Sequence, residues 1–170
     1  MCDNNSLINN KYKCLKLIGN GKFGKIYLGV HEKKNTMVAI KFENKETSYN
    51  TLKNEATIIK YLHDNKCTSI PLLHWFGNYE NNFVVIIPKY DCSLYEYTLQ
   101  RQLSNDTIND IMLKMLSIIE EVHKSFIVHR DIKPHHFMIK NDNLYLIDFG
   151  ISTFYVDENH KLKPNIKTEN

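Results

Sequence analysis

Along residues 12–29, apolar and polar positions alternate on both sides of a glycine-rich turn, and the period of two predicts a β-hairpin. Residues 37–42, Met-Val-Ala-Ile-Lys-Phe, form a continuous apolar run interrupted only by Lys41, the pattern of a buried strand. The spacing then changes. Over 48–63, Leu52, Ile59 and Leu62 share one helical face with Ala56 beside them, and Glu55 falls on that apolar stripe. A second apolar strand, Phe83-Val84-Val85-Ile86-Ile87, is stopped by Pro88. The clearest helix covers 104–126, where Ile108, Ile111, Met112, Met115, Ile118, Ile119, Val122 and Phe126 make one stripe that Ser104 or Asn105 can cap. Two short apolar runs, 137–139 and 144–147, flank Asn141-Asp142-Asn143 and predict another hairpin.

Composition narrows this picture only a little. A chain of 170 residues with 42% hydrophobic and 24% charged positions is sufficient for one domain with a real core. The net charge of +3 singles out no nucleic-acid partner, and none is expected. No apolar run approaches the length of a membrane span, so no membrane association is expected. The four cysteines, Cys2, Cys14, Cys67 and Cys92, are scattered without a C-x-x-C pair. They read as free thiols of an intracellular, reducing compartment, cytoplasmic or nuclear.

Several groups carry candidate chemistry. Gly19, Gly21 and Gly24 form G-x-G-x-x-G, whose glycines let backbone N–H groups approach phosphates closely. A dinucleotide fingerprint has the same spacing but runs from strand into helix; here residues 25–30 continue as strand. A carboxylate on an apolar stripe is costly to bury alone, and Lys41 is the obvious partner for Glu55. His129, His135 and His136 lack the helical i, i+4 pairing of a transition-metal site, and no such site is expected. The methionines of the long helix read as core filler.

His129-Arg130-Asp131-Ile132-Lys133-Pro134, followed by Asp148-Phe149-Gly150, resembles the catalytic loop and the metal-binding Asp-Phe-Gly of eukaryotic-type protein kinases. The glycine-rich hairpin and Val38-Ala39-Ile40-Lys41 resemble the same superfamily. Ile70-Pro71 followed by Trp75-Phe76-Gly77, together with Ile132 and Phe137-Met138, resembles its casein kinase I branch. The resemblance implies an α+β fold: an antiparallel sheet lobe with one helix, over residues 11–88, and the first part of a helical lobe, over 89–156. Polar tails, 1–10 and 157–170, would flank them. It implies ATP and Mg²⁺ as cofactors and transfer of the γ-phosphoryl group to Ser or Thr of a protein substrate. Asp131 would orient the attacking hydroxyl, Lys133 and Lys41 would neutralise phosphate, Asp148 would hold Mg²⁺, and Glu55 would position Lys41.

The same resemblance places nucleotide contacts at Ile18, Gly19, Asn20, Gly21, Gly24 and Ile26, with Phe23 capping the phosphates. Ala39 leaves room for a flat base, Ile87 is the gatekeeper, and Pro88 and Tyr90 offer backbone groups to its edge. Pro88 has no N–H, so the donor must come from Tyr90. One position departs from the family. Where the family carries an Asn that binds Mg²⁺ through its amide oxygen, this chain has His136, and Mg²⁺ prefers hard oxygen ligands. The resemblance also runs out soon after Gly150, before the parts that cover the long helix in a kinase. Its stripe is therefore expected to be partly uncovered, as an interface for a partner protein. The alternative to an active kinase is a truncated, pseudokinase-like module that holds nucleotide or a partner without turnover.

Overall fold

A computed structural model describes residues 7–21, 24–46 and 50–164. The expected cap by Phe23 and a helix start at Ser48 fall outside these residues. The first strands are β1 (Tyr12–Gly21), β2 (Gly24–His31) and β3 (Thr36–Asn44), and the helix α1 (Thr51–Asp64) follows. Then come β4 (Trp75–Tyr79) and β5 (Asn82–Pro88). The five strands form one antiparallel sheet in the order β1-β2-β3-β5-β4. Gly24 is fixed by sterics: its φ is +142°, and a Cβ there would lie 1.9 Å from the Phe42 carbonyl oxygen.

Period two puts Lys41 and Glu43 of β3 on the same face, toward α1. Glu43 has a role the sequence reading missed. The α1 N-cap, Asn50, is left-handed and makes no side-chain cap. Instead the buried Glu43 carboxylate accepts from the Thr51 N–H (2.9 Å), the Thr51 hydroxyl (2.7 Å) and the Leu52 N–H (3.0 Å). A negative group at the helix N-terminus satisfies orphan donors and complements the helix dipole. Glu43→Gln keeps the shape but loses the charge and one accepting arm. It is expected to lower stability by about 1–3 kcal/mol in chemical denaturation, because a buried N–H loses its partner.

The helix α1 joins two cores. Leu52 and Ala56 pack with Val85, Ile87 and Tyr90 below the sheet. Ile58, Ile59 and Leu62 pack with Ile118, Val122, Ile127, Phe137, Leu146 and Phe149. That second core is built by β6 (Cys92–Ser93), α2 (Leu94–Leu99), α3 (Asn105–Lys124), β7 (Ile127–Val128), a 3₁₀ turn (Pro134–His136), β8 (Phe137–Lys140), β9 (Asn143–Leu146) and β10 (Thr153–Phe154). The hairpin β8–β9 turns through Asn141 and Asp142, both at positive φ, and β6 pairs on the other side of β8. Ser104 caps α3, accepting from the Thr107 N–H. The helix α2 was unexpected, although Ser93 and Glu96 form a capping box that the sequence displays as S-x-x-E.

Several expectations need correction. Phe126 lies past the end of α3 with φ +61°, and its ring faces Tyr155 and His160 rather than extending the stripe. Within that stripe Ile118 and Val122 are buried, while Ile111, Met115 and Ile119 pack partly against the core. Ile108 and Met112 are exposed, as are Leu113 and Leu116 outside it, so the uncovered part is the N-terminal half. The tails are shorter than expected. Ile8 is fully buried beside Tyr12, Val38 and Ile86, because an apolar residue in a polar run can still find a core. Residues 157–164 make a turn in which Asp157 Oδ1 accepts from the N–H groups of Asn159 and Lys161. Cys14, buried on β1, is disulfide-bonded, so the reading of four free thiols fails there; sequence spacing says nothing about sulfurs that folding brings together. Cys67 and Cys92 are free. Among the described residues no helix is long and apolar enough to cross a membrane.

Candidate active site

Lys41 and Glu55 meet as their positions on β3 and α1 require. Lys41 Nζ donates to Glu55 Oε1 at 2.6 Å, with both side chains buried. The same Nζ lies 3.8 Å from Asp148 Oδ1. Burial alone would lower the Lys41 pKa, but the charges of Glu55 and then Asp148 outweigh it and raise it. Burial works against ionised Asp148 too, yet Lys41, then His136, hold its carboxyl below the usual range. Among the described residues Glu55 Oε2 has no hydrogen-bond partner, and burial raises the Glu55 pKa.

Asp131 arrives from the other core. His129 is buried and bridges two segments: one ring nitrogen, Nε2, donates to the Ile147 carbonyl (2.9 Å), and Nδ1 accepts from the Asp131 N–H (3.2 Å). Both roles are filled by the neutral ring, and burial lowers its pKa accordingly. His129 thereby ties the loop to the residue preceding Asp148. Arg130 and Asp148 both have positive φ, +72° and +69°. For non-glycine residues this backbone costs about 1–3 kcal/mol each, and the bonds around them hold it in place. Lys133 Nζ donates to Asp131 Oδ2 at 2.7 Å, and the Asp131 and Asp148 carboxylates are 37% and 42% exposed, open to a ligand.

His136, by contrast, is buried between the two acids. Its Nδ1 lies 2.9 Å from the Asp131 carbonyl oxygen and 3.5 Å from Asp131 Oδ2, and its Nε2 lies 3.2 Å from Asp148 Oδ2. Burial lowers its pKa, only partly opposed by Asp148. His135 is exposed and stacks on Tyr95, outside this cluster.

The glycine hairpin roofs a cavity of about 140 Å³, lined by Gly21, Gly24 and Ile26 above and by Lys41, Glu55 and Asp148 below. Ile18, Gly19 and Asn20 do not line it; Ile18 is 43% exposed on β1. Ala39 pairs with Ile87 across β3 and β5, and Pro88 pairs with Val38. The Tyr90 ring is buried against Tyr145, and its carbonyl accepts from Lys89 Nζ. Its N–H makes no backbone–backbone bond among the described residues.

The donor set fits a divalent cation in one respect and departs in another. Asp148 supplies hard oxygens beside the cavity, as Mg²⁺ requires, but the neighbouring donor is an imidazole nitrogen. Among the described residues no three His, Cys, Asp or Glu side chains are arranged to hold a metal by themselves, so phosphate oxygens would have to complete the shell.

A second unanticipated residue is Asn54. Its Nδ2 donates toward the carbonyls of Phe149 (3.3 Å), Gly150 (3.0 Å) and Ser152 (2.9 Å), pinning the segment after Asp148 to α1. Asn54→Leu keeps the volume but removes the donor. It is expected to lower stability by about 1–3 kcal/mol in chemical denaturation, because three partly buried carbonyls lose their shared donor.

The chain matches the model of the protein kinase domain over residues 12–170. It is 33% identical over 167 residues to a casein kinase I homolog of Kluyveromyces lactis, covering 94% of this chain and 31% of that protein. A casein kinase I homolog of Schizosaccharomyces pombe is 33% identical over 165 residues (92% of this chain, 36% of that one). One of Saccharomyces cerevisiae is 31% identical over 167 residues (94% and 31%). The chain thus spans about a third of the length of these curated relatives. With a glycine hairpin, a buried Lys–Glu pair and Asp148 gathered at one cavity, and Asp131 joined to Asp148 through His136, the chain belongs to the protein kinase family.

Proposed function

We propose that the chain is a serine/threonine protein kinase of the casein kinase I kind, acting with ATP and a divalent metal. The observation that carries this reading is the convergence at one cleft of Lys41 from the sheet, Asp148 3.8 Å away and Asp131 across His136. In the reaction, the oxygen of a Ser or Thr hydroxyl forms a bond to the γ-phosphorus as the bond to the ADP oxygen breaks. The hydroxyl proton passes to Asp131, within reach of the open side of the cleft. Lys133, held on Asp131, and Lys41, held by Glu55, balance negative charge on the phosphates. The metal, when bound at Asp148, supplies charge neutralisation of the β- and γ-phosphates. Ala39, Ile87 and the Tyr90 N–H form the seat for adenine.

The test is transfer from γ-labelled ATP to an acidic Ser/Thr protein substrate by the 170-residue chain, with nucleotide binding followed by thermal shift. Label in phosphoserine or phosphothreonine is expected. Nucleotide binding without any transfer would favour the non-catalytic module, which the imidazole at position 136 also favours.

A further inference from the structure

His136 takes no part in the mechanism above, yet it is one of the few polar side chains buried in the cleft. Its surroundings fix what its ring can do. The Asp131 carbonyl oxygen, 2.9 Å from Nδ1, can only accept, so Nδ1 carries the hydrogen. In the neutral ring, Nε2 then carries a lone pair, and it points at Asp148 Oδ2, another lone-pair donor, 3.2 Å away. Two donors aimed into one space are satisfied by a cation between them. Donors about 2.1 Å from one ion, at right angles around it, stand about 3 Å apart. The observed spacing matches that edge, and the Nδ1 hydrogen bond to a carbonyl is the support that orients a metal-bound imidazole.

The geometry points to a mixed nitrogen–oxygen metal seat formed by His136 Nε2 and Asp148 Oδ2, completed by nucleotide phosphate oxygens and water. It rests on the nucleotide reading above and gives it a metal preference. Mg²⁺ takes hard oxygen and accepts imidazole poorly, whereas first-row transition ions accept nitrogen and oxygen together. The seat therefore selects a divalent transition ion over Mg²⁺, which an all-oxygen site would not do. It also gives the buried ring a function, where a spectator imidazole would only crowd the carboxylate.

The probe is Mn²⁺ with ADP, on the full chain labelled with ¹⁵N-histidine or left at natural abundance. Pulsed electron paramagnetic resonance of the bound Mn²⁺ should show a coupled nitrogen whose signature changes with the label. The coupling should vanish in His136→Asn, which offers an amide oxygen instead. Calorimetry should show the ratio of Mn²⁺ to Mg²⁺ affinities, each with ADP, falling by about tenfold in that variant. His136→Gln serves as a second variant, and ADP binding reports that each one is folded. Mn²⁺ and ADP bound with no histidine nitrogen coupling would overturn this seat and leave the nucleotide reading standing; the ring would then be an imidazolium paired with Asp148. Coupling that persists in both variants would also overturn it. Absence of ADP binding with either metal in the folded wild-type chain would overturn both readings together.

Discussion

Replacing Asp131 with alanine is expected to slow phosphoryl transfer by about 10²–10⁴-fold, the usual contribution of a positioned proton acceptor, while nucleotide affinity stays unchanged. The geometry makes this a clean substitution. The loop is held through Asp131's backbone: its N–H donates to His129 Nδ1, and its carbonyl accepts from His136 Nδ1. Alanine keeps both bonds. The side chain itself is partly exposed and touches Lys133, so its loss should cost little stability. Asp131→Asn preserves shape and the Lys133 contact but cannot take a proton, and it should be nearly as slow. Rates from labelled ATP, beside calorimetry with ADP, decide the matter. Undiminished turnover in either variant would remove Asp131 from the mechanism.

The parts of this site that the sequence displayed are those whose chemistry follows a period or a motif. Lys41 was legible as a cation in an apolar strand, and Glu55 as an acid on an apolar helical stripe. Each alone is costly to bury, which made them candidate partners, and the family resemblance supplied the pairing. The β1–β2 hairpin followed from a period of two, β3 and β5 from continuous apolar runs, and most of α3 from a period of 3.6, whereas β4, β6, β7 and β10 were not foreseen. What was missed depends on closeness in space between distant segments. Nothing in the spacing of Asn54 connects it with Phe149, Gly150 and Ser152, some 95 residues on. Glu43 stood nearer to legibility, because it shares a strand face with Lys41 and so faces the same helix. The position of His136 could be marked as a departure from the pattern. That its ring would be wedged between two carboxylates, with one nitrogen committed to a carbonyl, was a matter of tertiary packing. The hydrophobic pattern misled where a single apolar residue, such as Ile8 or Phe126, belonged to a different partner from its neighbours.

Breaking the Lys41–Glu55 pair should separate stability from function. Lys41→Met leaves Glu55 fully buried, with Oε1 stripped of its donor and Oε2 already without one among the described residues. Removing one member of a buried pair costs about 3–5 kcal/mol. Glu55→Leu should cost less, because Lys41 keeps Asp148 at 3.8 Å as a counter-charge. The double variant Lys41→Met/Glu55→Leu replaces the pair with apolar groups and should recover most of the stability lost in Lys41→Met, since such replacements are often neutral or stabilising. Nucleotide binding and transfer should not recover, because the cation that Lys41 offers the phosphates is gone and Lys133 alone remains. The Lys41→Met variant carries a further signature. Burial already raises the Glu55 pKa against the pull of Lys41, and without that lysine it rises further. The folded state then holds a proton that the unfolded state releases. Stability should therefore be fully present below the unfolded glutamate pKa and fall as pH rises through the folded one. Denaturation midpoints measured across that range should decline in Lys41→Met and not in the double variant, where Glu55 is gone. Equal pH dependence in the two would mean that Glu55 is not the group that titrates, and that the buried pair does not hold this part of the cleft together.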